Sequence, residues 1–285
     1  MQITESIDRT RAVVCAAREQ GKRIGLVPTM GALHVGHTSL IEAAKACCDF
    51  VVVSVFVNPT QFGPAEDIAN YPRPLEHDCT LCKEQGVDLV FTPTSETMYG
   101  RSEPLTWVTV EQMTDYLCGE SRPGHFRGVT TVCTKLFNIV QPDIAFFGQK
   151  DAQQVLVIQR MVTDLNMPLT IQICPTARES DGLAMSSRNK YLTPDQRKQA
   201  TCLYRALQTC RTLIKQGVLD AEPLVAAMTA ILNEVPHGGI DYISISDVQT
   251  LEPLACIQDK ALVALALHMG SARLIDNILV DVSES

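Results

Sequence analysis

The chain has 285 residues, of which 46% are hydrophobic and 20% charged, and its formal net charge is −8 at pH 7. This composition is typical of a soluble globular protein, and the acidic balance argues against a nucleic-acid partner, since phosphate backbones are bound by Lys and Arg. The longest apolar run, residues 50–57, is too short to cross a bilayer, and the N-terminus has no apolar signal core. We therefore expect a cytoplasmic protein that binds no membrane.

The first predicted elements lead to a turn that carries two histidines. A helix is expected over residues 4–20, and the apolar run at 23–27 predicts a buried strand. A second helix is expected to start near Ser39, which with Glu42 three residues later resembles a capping box. The stretch between strand and helix, PTMGALHVGH at 28–37, is then a strand-to-helix turn.

The residues of this turn suit a phosphate ligand. A helix N-terminus offers unpaired N–H groups and the positive end of the helix dipole. Gly31 and Gly36 allow close approach of the backbone, and His34 and His37 are expected on one face, where imidazoles can donate hydrogen bonds. The alternatives are a zinc site, which no HExxH pattern or nearby Cys supports, and histidines that only decorate a turn. HxGH is the signature of nucleotidyltransferases.

The next strand ends in polar side chains. Residues 50–57 form a β-branched run typical of a strand buried on both faces, and Asn58 and Gln61 follow it. Ligands of open α/β sheets bind just past the carboxyl ends of strands, so both are candidate binding residues. The alternative for Asn58 is an ordinary Asn-Pro turn.

The middle of the chain predicts further elements and a basic segment. Residues 64–74, with three prolines, are expected to form a loop. Two arginines, a histidine and two glycines in RPGHFRGV (122–129) suggest a mobile loop for an anionic ligand that closes over it, or else a solvated basic turn. The remaining elements expected here are a helix over 75–85, strands over 89–92 and 107–110, and a helix over 129–140.

A second strand-turn-helix site is predicted after residue 147. The strand 144–147 is followed by the turn residues Gly148, Gln149, Lys150 and Asp151. Lys150 suits a phosphate, and Asp151 suits ribose hydroxyls. A helix follows, and Gln154 lies about one turn into it. The alternative is a charged first helical turn. A strand at 169–174 then precedes DGLAMSSRN (181–189), whose hydroxyls and arginine could clamp a triphosphate or form a hydroxyl-rich turn.

The strand-helix alternation stops near residue 187, where we place a domain boundary. Thr193 is expected to cap a helix with Pro194 at its first position. The predicted fold is an α/β domain over 1–187 and a small α+β domain over 188–285. The second domain is expected to hold helices over 195–216 and 221–234 and strands over 242–245, 261–267 and 274–280.

Eleven cysteines are present. Cys79 and Cys82 form one CxxC within a predicted helix, without a second pair. We expect reduced, partly buried cysteines; the alternative for this pair is a redox role.

Five blocks, in order and with matching spacing, resemble the pantoate–β-alanine ligase family of HxGH nucleotidyltransferases. The resemblance covers most of residues 1–192, whereas the C-terminal third is similar only in general character. The blocks are PTMGALHVGH (28–37), FVNPTQF (56–62), RPGHFRGV (122–129), FFGQKDAQQ (146–154) and DGLAMSSRN (181–189).

The resemblance implies an ATP-dependent condensation of pantoate with β-alanine through pantoyl adenylate, with release of pyrophosphate and AMP. It also implies a Rossmann-like first domain, a cytoplasmic homodimer, and Mg²⁺ as the charge neutraliser of the triphosphate.

Matched residue by residue, the resemblance implies catalytic roles and ligand contacts. His37 corresponds to a proton donor, and Gln61 lies near β-alanine as well as pantoate. No metal ligand is assigned. The implied catalytic residues are His34, His37, Lys150 and Arg188; the ATP-binding residues are Met30, Gly31, Ala32, Leu33, His34, Val35, Gly36, His37, Gly148, Gln149, Lys150, Asp151, Ala177, Met185, Ser186, Ser187 and Arg188; the substrate-binding residues are Asn58, Gln61 and Gln154.

Three positions depart from the family pattern: Gln149 replaces a common Glu, Gly100 a common Pro, and His77 a position that is often acidic. Two other functions stay open. Another HxGH transferase with a phosphorylated acceptor would need basic residues where Gln61 and Gln154 stand. A non-catalytic ATP-binding regulator is disfavoured by the joint presence of the histidines, lysine and arginine.

Overall fold

The structure, a computed structural model, describes residues 1–63, 68–69, 71–102, 104–236 and 238–284. Five residues of the predicted 64–74 loop, 64–67 and 70, thus lie outside the described residues. Contacts within the chain define two compact units. The first comprises 1–114, 118–148 and 157–175, and the second comprises 115–117, 149–156 and 176–285.

The described residues form nine strands in two sheets. The first sheet has six parallel strands in the order β1-β4-β3-β2-β5-β6, and the second has three antiparallel strands in the order β7-β8-β9. The strands are β1 (Gln2–Thr4), β2 (Ile24–Thr29), β3 (Phe50–Val55), β4 (Leu89–Phe91), β5 (Ile144–Gly148), β6 (Thr170–Cys174), β7 (Gly238–Asp247), β8 (Lys260–Met269) and β9 (Ala272–Asp281).

The described helices cover the first sheet and complete the second unit. Short 3-10 turns lie at Pro59–Gln61, Gln149–Asp151, Ser187–Tyr191 and Val282–Glu284. The α-helices are α1 (Ile7–Glu19), α2 (Val35–Cys47), α3 (Leu75–Glu84), α4 (Ser95–Tyr99), α5 (Cys118–Ser121), α6 (His125–Val140), α7 (Ala152–Asp164), α8 (Pro194–Gln199), α9 (Cys202–Lys215) and α10 (Ala221–Leu232). None of the described helices is both long and apolar enough to cross a membrane.

The parallel sheet follows from the apolar runs. Every residue of β3 except Val55 is buried, as expected for a central strand covered by helices on both faces. Val27, Ile41, Val53 and Phe146 are each less than 2% exposed in one apolar cluster of the first unit. Fully burying a side chain of this kind contributes roughly 1.5–3 kcal/mol, so the strand runs stabilise the layer that supports the turns.

The strand order creates a switch point at the centre of the sheet. The chain passes from β2 outward through β3 and β4, and then returns to β5, which pairs with the other edge of β2. Ligands of open α/β sheets bind at such a point, outside the carboxyl ends of the strands. The turn after β2 and the end of β5 at Gly148 therefore lie at the same edge.

The predicted α/β fold with a smaller second part is confirmed, but several local predictions are wrong, and three of them concern the elements of the first unit. Residues 2–4 form β1, so α1 begins only after its N-cap Ser6. Residues 107–110 form no strand; the Val108 N–H bonds the Thr131 hydroxyl instead of a neighbouring strand. The helix expected over 129–140 begins earlier, at His125.

The second unit has its own apolar core between α9, α10 and the antiparallel sheet. Thr193 caps α8 with Pro194 at its first position, as predicted. The single helix expected over 195–216 is instead α8 followed by α9. The Thr201 hydroxyl donates to the carbonyl oxygen of Lys198 at 2.8 Å, and such bonds back to the preceding turn bend helices.

Candidate active site

A buried carboxylate fixes the turn that follows β2. Asp78, on α3, is fully buried, and its oxygens accept hydrogen bonds from the N–H groups of Ala32 at 2.9 Å and Leu33 at 2.7 Å. Gly31 has a φ of 88°, and a Cβ there would lie 3.0 Å from the carboxylate. Since Ala32 also adopts a positive φ, of 51°, the carboxylate stabilises a sharp turn just before His34.

Sequence reasoning missed this role of Asp78. The turn lies 45 residues earlier in the chain, and no spacing rule links the two. An acidic residue in the first turn of a helix is also an ordinary helix feature, so nothing local marked it.

His34 and His37 close the start of α2. The His34 Nδ1 accepts the Gly36 N–H at 3.1 Å, and the His37 Nδ1 accepts the His34 N–H at 3.3 Å, in a capping-box arrangement. The ring centroids are 4.2 Å apart, which confirms that the two lie on one face. A neutral imidazole that accepts at Nδ1 carries its proton on Nε2. Each histidine is thereby fixed as an Nε2–H hydrogen-bond donor.

The predicted capping box of Ser39 and Glu42 is wrong. Ser39 lies inside α2, where its hydroxyl donates to the carbonyl oxygen of Gly36 at 2.9 Å. The helix starts earlier because the imidazole of His34 takes the capping position that Ser, Thr, Asp or Asn usually fills.

A buried pair of amides follows β3. Asn58 is 1% exposed, and its Nδ2 donates to the Gln61 Oε1 at 3.0 Å and to the carbonyl oxygen of Gly128 at 3.1 Å. Its Oδ1 accepts from the Tyr99 hydroxyl at 2.7 Å. Because the Oε1 of Gln61 is bound to Asn58, its Nε2 points the other way, where it donates to the Met30 sulfur at 3.0 Å. The predicted blocks 28–37 and 56–62 are thus in contact within the first unit.

Tyr99 completes this network and was also missed, since only the departure at Gly100 beside it was noticed. Burial raises the pKa of the Tyr99 hydroxyl, which keeps it protonated as a donor. A hydroxyl that donates to the Oδ1 of Asn58 determines which end of that amide faces Gln61.

The prediction of a mobile loop at 122–128 is wrong for residues 125–128, which are helical. Residues 125–128 are the first turn of α6, and His125 is only 8% exposed. The Arg122 Nη1 lies 3.0 Å from the His125 Nε2. Since a guanidinium only donates, that nitrogen accepts, and the Nδ1–H of His125 donates to the carbonyl oxygen of Gln61 at 2.8 Å.

Gly128 explains why the start of α6 packs closely against the backbone of Thr60 and Gln61. A Cβ at this position would lie 2.3 Å from the carbonyl oxygen of Thr60. The glycine therefore lets α6 lie directly against the 3-10 turn Pro59–Gln61. Gly128, one of the two glycines that suggested mobility, thus serves close packing.

In the second unit, the turn Gln149–Asp151 leads into α7, as the strand-turn-helix pattern predicted. The Lys150 Nζ lies 3.5 Å from the Asp151 carboxylate, and the Lys150 side chain is 17% exposed against 50% for Asp151. Gln154 is half-buried in the first turn of α7. Its neighbour Gln153 is buried, and its amide donates to the carbonyl oxygen of Tyr116 at 2.7 Å.

The last predicted block forms a short paired turn in the same unit. The Met185 N–H donates to the carbonyl oxygen of Ala177 at 2.9 Å, so these two predicted ATP residues lie together. Ser186 caps the 3-10 turn Ser187–Tyr191 by accepting the Arg188 N–H at 3.2 Å. The Arg188 side chain is exposed.

Within the part of the chain that the structure describes, the histidine pair is not part of a metal cluster. Among the residues that the structure describes, no group of three or more His, Cys, Asp or Glu side chains could hold a metal ion. None of the eleven cysteines forms a disulfide. Burial raises the pKa of the Cys82 thiol to about 12 and also raises that of Cys79, which disfavours the thiolate that redox chemistry needs.

Comparisons with known proteins agree on one family. The family described as "Pantoate-beta-alanine ligase" matches residues 2–279. The "Pantothenate synthetase" of Moorella thermoacetica is 55% identical over 284 residues, which is 100% of both chains. That of Thermoanaerobacter pseudethanolicus is 53% identical over 98% of both chains.

Solved structures give the same result. A pantothenate synthetase from Thermus thermophilus superposes with a TM-score of 0.92 at 46% identity, over 99% of both chains. A pantoate-beta-alanine ligase from Francisella tularensis, described as complexed with beta-gamma ATP and beta-alanine, has a TM-score of 0.79 at 35% identity, over 98% of this chain and 97% of that one.

Proposed function

The chain belongs to the pantoate–β-alanine ligase family, and from this premise we propose a reaction in two steps through pantoyl adenylate. The protein is an ATP-dependent ligase that condenses pantoate with β-alanine to pantothenate. In the first step the pantoate carboxylate attacks the α-phosphorus of ATP, and pyrophosphate leaves. In the second, the β-alanine amine attacks the acyl carbon of the mixed anhydride, loses a proton, and displaces AMP.

The observation that carries the proposed site is the pair of oriented imidazoles. Both Nδ1 atoms of His34 and His37 accept backbone N–H groups at the start of α2, so the Nε2–H groups are set before ATP arrives. Adenylate formation is a transfer at phosphorus, in which the protein mainly positions the reactants and stabilises charge. Donors near the departing pyrophosphate stabilise the charge that grows there.

We assign the rest of the ATP contacts to the predicted blocks. Residues 30–37 and Gly148 belong to the first unit, and residues 149–151, Ala177 and 185–188 to the second. Lys150 and Arg188 supply the positive charges among them, which suit the triphosphate. Each of these roles rests on the family resemblance and on the donor chemistry of the residue.

Pantoate is assigned to Gln61 and Gln154. An amide offers both a donor and an acceptor and does not repel a carboxylate, so it suits a hydroxy acid. The contacts of Asn58 are with protein atoms, which supports a role in which it orients Gln61. Gln61 also serves β-alanine in this proposal.

Mg²⁺ is proposed to enter with ATP. It usually keeps several waters and takes phosphate oxygens with one or two carboxylates, which agrees with the lack of a three-residue cluster among the described residues. When bound, it neutralises triphosphate charge. Both oxygens of Asp78 already accept backbone N–H groups, so we assign no protein ligand to the ion.

The organisation of the protein is proposed on the same resemblance. We infer a cytoplasmic homodimer. We also keep the division into a Rossmann-like domain at 1–187 and an α+β domain at 188–285. Sedimentation and limited proteolysis would test the dimer and the boundary.

The test of the function is ATP–pyrophosphate exchange. Exchange should need ATP, Mg²⁺ and pantoate but not β-alanine, and rapid-quench measurements should show pyrophosphate before AMP. A transferase with a phosphorylated acceptor would give no exchange with pantoate, and a non-catalytic regulator would give none with any acceptor. A burst of AMP in place of pyrophosphate would contradict the proposed intermediate.

A further inference from the structure

Two adjacent polar residues of β9 are buried in the second unit, in a region without predicted site residues. Asp276 and Asn277 are each 3% exposed. Side chains alternate between the faces of a strand, and Leu274 and Ile278 belong to the apolar core. Asp276 therefore lies on the core face of β9, and Asn277 lies on the opposite face.

The Asn277 amide holds the lysine turn. Its Nδ2 donates to the carbonyl oxygens of Gln149 at 3.0 Å and Lys150 at 2.8 Å. Two carbonyl acceptors use both N–H bonds of the amide, and they exclude the flipped orientation because it would set oxygen against oxygen. These bonds fix the backbone from which the Lys150 side chain projects.

Asp276 holds a second segment through an arginine. Arg178 donates to the Asp276 carboxylate in a two-bond fork, at 2.6 and 2.9 Å. The same guanidinium donates to the carbonyl oxygen of Gly182 at 3.0 Å. Arg178 thereby closes the turn 178–182, which directly precedes the ATP block 185–188.

Stability alone is a weak reason for this arrangement. Replacing a buried ion pair with well-packed apolar residues is often neutral or stabilising, and the neighbours of Asp276 on its face are apolar. An ion pair with two hydrogen bonds, or an amide that donates two hydrogen bonds, holds its segment in a defined position. The two residues are also linked, since the Asn277 N–H donates to the Asp276 Oδ1 at 2.8 Å.

We propose that Asp276 and Asn277 are positioning residues that hold two ATP-binding segments on one strand. Asn277 places Lys150, and Asp276, through Arg178, places the block that ends in Arg188. The proposal rests on the assignment of Lys150 and Arg188 to ATP in the proposed function.

The test is a double-mutant cycle on single-turnover adenylate formation with ATP, Mg²⁺ and pantoate. Asn277→Ala should lower the rate by about tenfold to 10²-fold, since small misplacements of a reacting group cost that much. In a Lys150→Ala background the same substitution should change the rate by less than about twofold, because contacts that act through one residue are not additive. Asn277→Asp keeps the volume but sets a carboxylate against two carbonyl oxygens, and it should behave likewise.

A purely structural role would give the same fold-loss in both backgrounds, and that result would overturn the proposal. Leu279→Ala, two residues along β9 and 39% exposed, is the matched control and should leave the rate within about twofold. If Lys150→Ala alone left adenylate formation unchanged, the proposed ATP role of Lys150 would fail instead, so the two failures are distinguishable.

Asp276 is tested by the same design. Asp276→Asn keeps the shape and removes the charge that the Arg178 fork needs, so it should lower the rate by about tenfold. In an Arg188→Ala background this loss should shrink to less than about twofold. An undiminished loss there would show that Asp276 does not act through the 185–188 block.

Discussion

At the scale of single residues, several side chains proposed to contact a substrate also form hydrogen bonds that hold the protein's own structure. The two histidines cap a helix with Nδ1, and in the proposed reaction Nε2 is the atom that meets ATP. The Asn58 amide sets the direction of the Gln61 amide. A side chain tied down in this way needs no reorganisation when charge develops, which is the basis of electrostatic preorganisation.

His37→Gln should therefore retain more activity than His37→Ala. Glutamine is a usual capping-box residue at N3, so it can accept the His34 N–H and still offer an N–H donor. His37→Ala should lower single-turnover adenylate formation by about 10²–10³, with a smaller change in equilibrium ATP binding. Ser39→Ala, in the next turn of α2, is the control and should stay near wild type. A collapse of ATP affinity with an unchanged chemical step would make His37 a ground-state binder.

Asn58→Asp should impair pantoate use while sparing ATP. A carboxylate at this position would face the Oε1 of Gln61, which would turn so that its Nε2 meets the new charge. Pantoate would then lose a donor, and its KM should rise by about tenfold or more, since a lost hydrogen bond costs about 1–3 kcal/mol. The KM for ATP should change less. Asn138→Asp makes the same chemical change at an exposed position of α6 and should have little effect. Equal losses for both substrates would argue against the orienting role.

At the scale of elements, turns are fixed by side chains from other parts of their own unit. Asp78 on α3 holds the turn after β2, and Arg197 on α8 holds the segment before the 185–188 block. Arg197 donates to Glu179 at 2.6 Å and to Asp181 at 2.8 and 3.1 Å. These hydrogen bonds keep the pKa of the Asp181 carboxyl below its usual value.

Arg197→Ala should destabilise the protein in a pH-dependent way. A carboxyl whose pKa is lower in the folded than in the unfolded state, where it is about 3.9, adds stability above that value and loses it as the pH falls through the folded pKa. Because the Asp181 side chain is 42% exposed, the contribution should be about 1 kcal/mol or less.

Thermal unfolding measured from pH 7 down to pH 3 checks this expectation. The gap between wild type and Arg197→Ala should be largest near neutrality and should narrow as the pH falls below about 3.9. Arg205→Ala removes a pair whose side chains are both more than half exposed, and it should show little gap at any pH. A gap that widened in acid would contradict the assignment.

At the scale of the whole molecule, the predicted site residues are distributed over both units. The first holds the histidines and the amide pair, and the second holds Lys150 and Arg188. Each unit has its own apolar core, so each can orient its polar residues independently. The second unit also includes the segment Gln149–Leu156, which comes before residue 187 in the chain.

The sequence by itself determined the fold class, the central strands and the histidine turn. These features depend on local patterns: β-branched runs such as 50–57, glycines, and the HxGH motif give the same signal in any surroundings. The family resemblance rests on the same short blocks. The helix start at Thr193 and Pro194 was predicted correctly for the same reason, since a capping box involves only four consecutive residues.

Only the tertiary structure decided which residues hold those blocks in place. Asp78, Tyr99 and Asn277 act on backbone or side chains far away in the sequence, at separations of up to 128 residues for the Asn277 bond to Gln149. Their signal is burial and geometry, which exist only after folding. The 122–128 segment shows the converse. Its glycines and basic residues predicted mobility, but residues 125–128 are helical and Gly128 packs against Thr60. Local sequence patterns thus identify the side chains that can react, and long-range contacts determine the orientation of each one.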